Sequence, residues 1–516
     1  MTSHVRILRV LGGTAVALLA CAAQAEPSGT PGWQDEPHLD IIPRTAEETA
    51  RIAAVTERTS DFGAPESFEQ NPGGAATTRY IGTADAFSQF SANMRFESEL
   101  DFKVGNGIFR KLWVGAPSST KGSDGLGPLY NARSCQNCHI KDGRGHVPEH
   151  PEDSRVSAFL RLSVPGGRDQ PLIPDYIPTM PEPVYGGQLQ DLALEGYLAE
   201  GRMEIEWSAV PVTLADGTVV ELRQPRYGID GYRYGAPHEG LMISPRVTPQ
   251  MIGLGLLESV PAADILALAD PEDRDGDGIS GRPNIVWSDE LGRPLLGRFG
   301  LKAGKPTIRE QSAKAFADDM GLSTPLFPGA SGECTAAQSD CLSATAGQEP
   351  GIRDGLEVDG QALDLVTFYA RNLAVPERRN VDDPTVLRGK EIAYSIGCTS
   401  CHNPKFVTHR LNDQPEQSFQ LIWPHTDMLL HDMGDGLADN RPESRATGRE
   451  WRTAPLWGIS LNKQVTGTEN YLHDGRARSL IEAILWHGGE AQSAREAVVA
   501  LPTQDRKALI AWLESL

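Results

Sequence analysis

The chain has 516 residues and a formal net charge of −21 at pH 7, with 48 Lys and Arg against 69 Asp and Glu. This length exceeds what one ordinary hydrophobic core organises, so we expect two or three domains. The acidic balance argues against nucleic acid, which is bound by a basic face, and it suits a partner with a basic docking patch.

The N-terminus has the pattern of an export signal over residues 1–25. Arg6 and Arg9 precede a short apolar run, and Ala23-Gln24-Ala25 offers a small-residue cleavage site. The run is too short to cross a bilayer, and no later stretch is apolar enough to do so. We therefore expect a periplasmic protein. In a second interpretation the signal ends in a lipoprotein box and Cys21 carries lipid, although the large Leu19 fits that pattern poorly.

The next part of the chain predicts extended structure. Residues 26–80 are polar and contain many Pro and Gly, which indicates an extended lead-in. Further on, the alternation from Ser157 to Val164 predicts a strand. Asp216-Gly217 lies between two apolar runs and is typical of a β-hairpin turn. We therefore expect a β-rich insertion in this region.

The sequence contains two Cys-x-x-Cys-His motifs, one at residues 135–139 and one at residues 398–402. Covalent haem attachment needs two thiols spaced to reach two vinyl groups, and a His directly after the second Cys as proximal iron ligand. A zinc site or a thioredoxin-like dithiol is the alternative, which two His-terminated motifs behind an export signal disfavour. We predict two haem c groups, with attachment residues Cys135, Cys138, Cys398 and Cys401 and proximal ligands His139 and His402.

The elements around the motifs predict the fold class, which is mainly α with inserted β hairpins. Asp383-Pro384 reads as a helix cap followed by Pro at the first helical position, and another helix ends the chain. A helix before the motif and one at the end is the pattern of a class I cytochrome c. We expect two cytochrome c-type haem domains plus irregular extended insertions. They are an N-terminal haem domain with the β-rich insertion over residues 81–375, and a C-terminal cytochrome c domain over residues 376–516.

Two further cysteines, Cys334 and Cys341, lie close together in a stretch rich in Gly, Ser and Ala. In an oxidising compartment such a pair forms a small loop-closing disulfide. A redox-active thiol pair is the alternative interpretation.

From about residue 84 to the end, the chain resembles the dihaem oxidoreductases, a family of peroxidase-like proteins sometimes labelled thiol oxidoreductases. The resemblance rests on residues 131–139, 273–281, 430–434 and 471–489. That family is similar to the bacterial dihaem cytochrome c peroxidases and to the dihaem enzyme that matures the methylamine dehydrogenase cofactor.

The resemblance implies an oxidoreductase that receives electrons from a small carrier protein, a cytochrome or a cupredoxin. The C-terminal haem would accept them, and the N-terminal haem would reduce peroxide or another small oxidant. Two alternatives stay open. One is a non-catalytic electron-transfer cytochrome, and the other is an oxygenase or protein-modifying oxidase on the same scaffold.

The resemblance also implies a distal ligand for the C-terminal haem. In dihaem peroxidases a His-Gly turn is followed, at a similar spacing, by that ligand. The matching residue here is His487, at the end of a short helix that Ser479 and Glu482 begin as a capping box. We expect iron ligation by His402 and His487. The rival ligands are Met428, Met433 and His431.

The N-terminal haem has no equally placed partner. The dihaem peroxidases place a displaceable His somewhat further downstream than His146 and His150, so either residue is a candidate and an open iron is the alternative. By resemblance, Gln311 and Asp319 are the catalytic residues that face this haem, Asp319 as the acid-base group. Leu301 occupies the position of an inter-haem Trp, which disfavours fast radical hopping between the haems.

The acidic segment at residues 273–278 has the start of a calcium loop. Asp273, Asp275 and Asp277 would supply hard oxygen ligands, and Gly278 would make the turn. The twelfth position holds Asn284 rather than Glu, so the loop is no complete EF-hand. A calcium ion and a solvated acidic turn are both compatible with this pattern.

Overall fold

The computed structural model describes residues 1–2, 32–148 and 157–516. The predicted export signal with Cys21, and also His150, lie outside these residues. The described part combines helices with small sheets of two or three strands. No helix within it has both the length and the apolar character needed to cross a membrane.

The helices of the described residues are distributed along the whole chain. They are α1 (Ala46–Thr56), α2 (Glu99–Arg110), α3 (Cys135–Cys138), α4 (Leu254–Glu258), α5 (Ala262–Leu266), α6 (Ile308–Met320), α7 (Ser339–Leu342), α8 (Gly360–Arg371), α9 (Pro384–Ser395), α10 (Cys398–Cys401), α11 (Asn462–Thr466), α12 (Leu480–Leu485), α13 (Gln492–Ala500) and α14 (Thr503–Ser515).

The strands are mostly short. They are β1 (Ile41–Ile42), β2 (Val114–Gly115), β3 (Asp124–Leu126), β4 (Leu129–Tyr130), β5 (Ala158–Pro165), β6 (Thr179–Met180), β7 (Leu192–Ala193), β8 (Arg202–Thr213), β9 (Val219–Asp230), β10 (Met242–Val247), β11 (Ile285–Ser288), β12 (Arg293–Leu296), β13 (Phe406–Val407), β14 (Arg410–Leu411), β15 (Leu421–Ile422), β16 (Leu430–Asp432) and β17 (Glu450–Arg452).

The lead-in differs from the extended chain that its composition predicts. Residues 46–56 form α1, which Thr45 begins with a complete capping box. β1 pairs with β14 through Ile41 and Leu411. Further along, the buried carboxylate of Glu69 lies 2.7 Å from the Lys390 ammonium. The described part of the lead-in is therefore held to the C-terminal part of the chain by a strand pair and by an ion pair.

The apolar core around the first motif is formed by α2, α6 and α8. Phe102, Phe316 and Tyr369 are almost fully buried there. α2 and α8 approach closely because of Gly105, where a Cβ atom would lie 2.2 Å from the carbonyl oxygen of Leu365. This packing places α2 directly behind the first haem motif.

The β-rich insertion is present as predicted. β8 and β9 pair along their whole length, from Arg202 opposite Asp230 to Thr213 opposite Val219. The turn contains Gly217 at φ +82°, which suits glycine. The hairpin tip reaches the C-terminal part, where the Ala215 amide donates to the Val499 carbonyl at 2.9 Å.

The two C-terminal helices that the sequence predicts are present in the structure. Asp383 caps α9, whose first residue is Pro384. α9 lies against α14, and a Cβ atom at Gly389 would be only 1.9 Å from the Ala508 carbonyl oxygen. The division into two haem domains near residue 376 stays a prediction, since the hairpin tip and the lead-in both contact the C-terminal part.

Candidate functional site

A single cavity of about 650 Å³ is lined by both Cys-x-x-Cys-His motifs. α3 and α10 each present a motif to it, although the two are more than 250 residues apart in the chain. Its size is within the range of ordinary ligand and cofactor pockets. The wall includes every predicted attachment cysteine and proximal histidine, together with His487, Asp319, Gln311 and Leu301.

The two histidines predicted to be proximal ligands are held in the same way. Nδ1 of His139 donates to the Pro249 carbonyl at 2.8 Å, and Nδ1 of His402 donates to the His425 carbonyl at 2.9 Å. Burial lowers the pKa of both imidazoles to about 4, so both are neutral at pH 7. Because a carbonyl can only accept, the hydrogen is on Nδ1 and the Nε2 lone pair stays available to a metal.

The motif cysteines are in a poor environment for thiolate chemistry. Burial raises the pKa of Cys135 and Cys398 to about 12, and that of Cys138 well above its usual value. Thiolate is the nucleophilic form of cysteine, so these groups do not suit thiol-disulfide exchange.

His487, the predicted second ligand of the C-terminal haem, lines the same cavity as His402. Its Nδ1 donates to the Ala483 carbonyl at 2.7 Å, which again leaves the Nε2 lone pair available. Burial lowers the pKa of His487, and its proximity is one of the influences that lower the pKa of His402. α12 ends at Leu485, so His487 follows the helix rather than closing it.

The three residues predicted as rivals to His487 have different surroundings in the structure. Nε2 of His431 lies 2.8 Å from Asp427 and its Nδ1 lies 2.7 Å from Glu490. Both ring nitrogens are therefore occupied, and the two carboxylates hold the pKa of this buried His well above its usual value. Met428 is buried in the apolar core. Met433 lines the cavity and stays the rival to His487.

Near the first motif, the structure does not bring His146 to the cavity wall. Its amide donates to the Ser157 hydroxyl at 2.9 Å in a buried turn. The wall contains a histidine that the sequence reasoning missed, His473, whose ring stacks on Trp451 at 3.8 Å between centroids. Burial lowers the pKa of His473 to about 3. His473 lies in the segment 471–489, on which the family resemblance rests, but no feature of the neighbouring sequence indicates that it lines the cavity.

The two predicted catalytic residues lie on one face of α6. Gln311 and Asp319 are eight residues apart, about two turns, and both line the cavity with Ala315 between them. The Asp319 carboxylate accepts from the Gln188 side-chain amide at 2.8 Å. Burial raises the pKa of Asp319 to about 6, against the opposing charge of Arg161. Their catalytic roles stay predictions.

The other two predicted sites lie away from this cavity. Carboxylate oxygens of Asp273, Asp275 and Asp277 come within 4.8 Å of one another, as a cation site requires. Asn284 is not part of that cluster, because its amide donates to the Lys302 carbonyl at 2.7 Å inside the protein. Cys334 and Cys341 are joined as a disulfide, with 6.1 Å between their Cα atoms.

The cavity wall is basic, in contrast to the acidic chain as a whole. This suits haem, which carries two propionates in addition to its vinyl groups and iron. With the paired thiols and the free Nε2 atoms, the residues present fit two haem groups. The basic lining residues are Arg144, Arg161, Arg246, Arg298, Lys305, Lys314, Arg441, Arg452 and Arg495, and the acidic ones are Asp319, Glu443 and Glu490.

Comparison with known proteins agrees with the site. No curated protein matches the sequence. Among solved structures, hydrazine synthase of Kuenenia stuttgartiensis, pressurised with xenon, is similar at 17% identity and a TM-score of 0.21. That match covers 40% of this chain and 70% of that one, and at this score it carries no argument. The family model described as "Di-haem oxidoreductase, putative peroxidase" matches residues 68–516. Since this is most of the sequence, the chain belongs to the di-haem oxidoreductase family.

Proposed function

We propose that this di-haem oxidoreductase is an exported c-type cytochrome that reduces peroxide with electrons from a small carrier protein. The His402 site is where electrons enter, and the His139 site is where peroxide reacts. The observation that carries the proposal is the asymmetry of the shared cavity. His402 has a second imidazole nearby in His487. On the side of the first motif, α6 instead adds the Asp319 carboxyl and the Gln311 amide to the cavity wall.

Haem, when bound, would supply the chemistry of electron transfer and of peroxide reduction. The chain contributes fixed ligands, since the carbonyls of Pro249 and His425 orient the two proximal imidazoles. A group that moves the protons of peroxide needs a pKa near the working pH. Asp319 meets this condition, and Gln188 fixes its carboxylate by donating to Oδ1.

Attachment through thioethers and export to the periplasm are parts of the same proposal. Covalent haem c is assembled outside the cytoplasm, which agrees with the signal-like N-terminus. A calcium ion at the Asp273 cluster is a further part, supported by the approach of three carboxylates. The carrier's docking patch should be basic, because the chain carries a net charge of −21.

Two measurements test the proposal. The denatured protein should retain the mass of two haems, and a mass with one haem or none would contradict the assignment of both motifs. Oxidised and half-reduced protein should then be mixed with hydrogen peroxide in a stopped-flow spectrometer, with cyanide as a second probe. A change in the spectrum of one haem is expected. If neither form responds and cyanide does not bind, the protein is an electron-transfer cytochrome.

A further inference from the structure

Most of the basic side chains around the cavity already have a carboxylate partner. Such pairing is expected, because an isolated buried charge is costly. The pairs, by their nitrogen–oxygen distances, are Arg161 with Asp318 (3.1 Å), Arg246 with Glu443 (3.1 Å), Arg298 with Glu36 (2.6 Å), Lys305 with Asp289 (2.5 Å), Lys314 with Asp318 (2.6 Å) and Arg441 with Glu443 (3.2 Å).

Arg144 does not follow this rule. Its guanidinium donates to the Leu472 carbonyl, its Nε has no hydrogen-bond acceptor, and no described carboxylate forms an ion pair with it. Desolvation lowers its pKa to about 10. Asp474 raises that pKa from a distance, but this carboxylate is already bound by Arg476 at 2.8 Å. Arg144 is therefore a cation at the cavity wall that lacks its own anion.

Arg452 is the second exception. Its Nε donates to the Gly300 carbonyl at 3.2 Å and its Nη1 to the Thr453 carbonyl at 3.0 Å, and no described carboxylate lies within ion-pair distance. Desolvation lowers its pKa, too, to about 10. The carboxylate that acts on it from a distance, Asp427, is bound by His431. Arg495, on α13, also lines the cavity without a described carboxylate partner, and its Nε donates to the Leu485 carbonyl at 2.7 Å.

Arg144 and Arg452 lie at different motifs. Arg144 follows His139 by five residues in the chain. Arg452 is influenced by the charge of Asp427. Asp427 lies beside the second motif, because its amide donates to the Cys401 carbonyl at 3.0 Å. At each motif, therefore, one guanidinium at the cavity wall has no carboxylate partner among the described residues.

We infer that Arg144 and Arg452 each bind a carboxylate group of a cavity ligand, and that these carboxylates are the propionates of the two haems. The inference rests on the haem content proposed above. A guanidinium binds a carboxylate through two parallel hydrogen bonds, which fixes orientation as well as charge. Arg144 anchors the haem attached at Cys135 and Cys138, and Arg452 anchors the haem attached at Cys398 and Cys401.

The backbone partners of the anchors add a consequence for assembly. Arg144 is held by Leu472, far along the chain, and Arg452 is held by Gly300, with its amide donating to the Leu301 carbonyl at 3.0 Å. Each anchor thus connects the surroundings of one motif to a distant part of the chain. A haem held by Arg144 therefore restrains the segment at Leu472, and a haem held by Arg452 restrains the segment at Gly300.

The test is a redox titration of holoprotein variants in which each haem is followed separately. Assignment of the spectra uses variants that lack one pair of attachment cysteines. Arg144→Gln should lower the reduction potential of the first haem, because loss of a nearby cation favours the oxidised form. Arg452→Gln should do the same to the second haem. We expect about a tenfold change in the oxidised-to-reduced ratio at fixed potential, equal to about 59 mV for one electron.

Resonance Raman spectroscopy supplies a second readout, since the propionate bending band reports hydrogen bonds to that group. The band of one haem should shift in each Gln variant. Arg144→Lys and Arg452→Lys keep the charge but lose the paired geometry, so they should preserve most of the potential and still shift the band. If a Gln variant does not fold, the band of its Lys variant decides. The matched control is Arg449→Gln, an exposed residue paired with Asp432 and Asp435, which should change neither readout.

Unchanged potentials with unchanged propionate bands would overturn the inference. A free carboxylate ligand is distinguished by adding acetate to the wild-type protein. Acetate would then shift the haem potential of the wild type, and Arg144→Gln or Arg452→Gln would abolish that shift without changing the propionate bands. This result would show that the arginines bind a free anion, and it would overturn the propionate assignment. These readouts need bound haem but no turnover, so a protein inactive towards peroxide still tests the anchors.

Discussion

Replacement of Asp319 by Asn should stabilise the protein at neutral pH and slow its reaction with peroxide. Burial raises the pKa of this carboxyl from 3.8 to about 6. Between those values the folded protein keeps the proton and the unfolded chain loses it, so stability falls as pH rises from about 4 to about 6. At about 1.4 kcal/mol per pH unit, the ionised carboxylate costs at most about 3 kcal/mol at pH 7.

Asn keeps the oxygen that accepts from Gln188 and removes the charge. Asp319→Asn should therefore match the wild type in stability at pH 4 and exceed it by up to about 3 kcal/mol at pH 7. Peroxide turnover should fall about a hundredfold, as expected for loss of an acid-base group. Both haems should stay attached with unchanged ligation.

The assay is denaturant unfolding of the holoprotein at several values between pH 4 and pH 7, with stopped-flow turnover measured on the same samples. Asp169→Asn changes an exposed carboxyl and is the control. Equal stability of Asp319→Asn and wild type across this pH range would refute the electrostatic argument. Unchanged turnover would refute the catalytic role, whatever the stability shows.

The remaining predictions concern the ligand, its buried neighbour and the acidic loop. His487→Ala should convert one low-spin haem to high spin and leave the other unchanged in the absorption spectrum, with exposed His238→Ala as control; an unaltered spectrum would transfer the role to Met433. His431→Gln should cost roughly 3–5 kcal/mol in unfolding free energy, because Asp427 and Glu490 lose a buried cationic partner, while both haems keep their spin states. Millimolar calcium should raise the melting temperature of the wild type but not of Asp275→Asn, and an equal response of both would exclude the loop.

Local sequence signals predicted local structure well. Asp383 and Pro384 start α9, and Asp216-Gly217 turns the long hairpin, because caps and tight turns depend on neighbours in the chain. The capped start of α12 was also correct, since Ser479 accepts from the Glu482 amide at 3.3 Å, whereas the end of that helix lies two residues before His487. The lead-in was misjudged because Pro and Gly around α1 concealed a short capped helix.

Contacts between distant residues could not be predicted in this way. His431 looked like a possible ligand, and its exclusion depends on Glu490, which is 59 residues away and binds its ring from another loop. The stack of His473 on Trp451 is similar, since neither residue indicates the other in the sequence. Such partners are fixed by the packing of loops around the cavity, which no local pattern encodes.

The distribution of charge relates the cavity to the surface. The chain carries a net charge of −21, but its cavity wall has nine basic and three acidic side chains. An acidic exterior raises the encounter rate with a basic carrier protein, and this effect weakens as salt screens it. A guanidinium at the cavity wall that has no carboxylate partner instead stabilises a bound carboxylate, where screening is weak. One chain can thus attract a cationic partner from solution and hold an anionic cofactor, because the two fields act in regions of different dielectric. It follows that added salt should slow delivery of electrons by the carrier while leaving the haem potentials nearly constant.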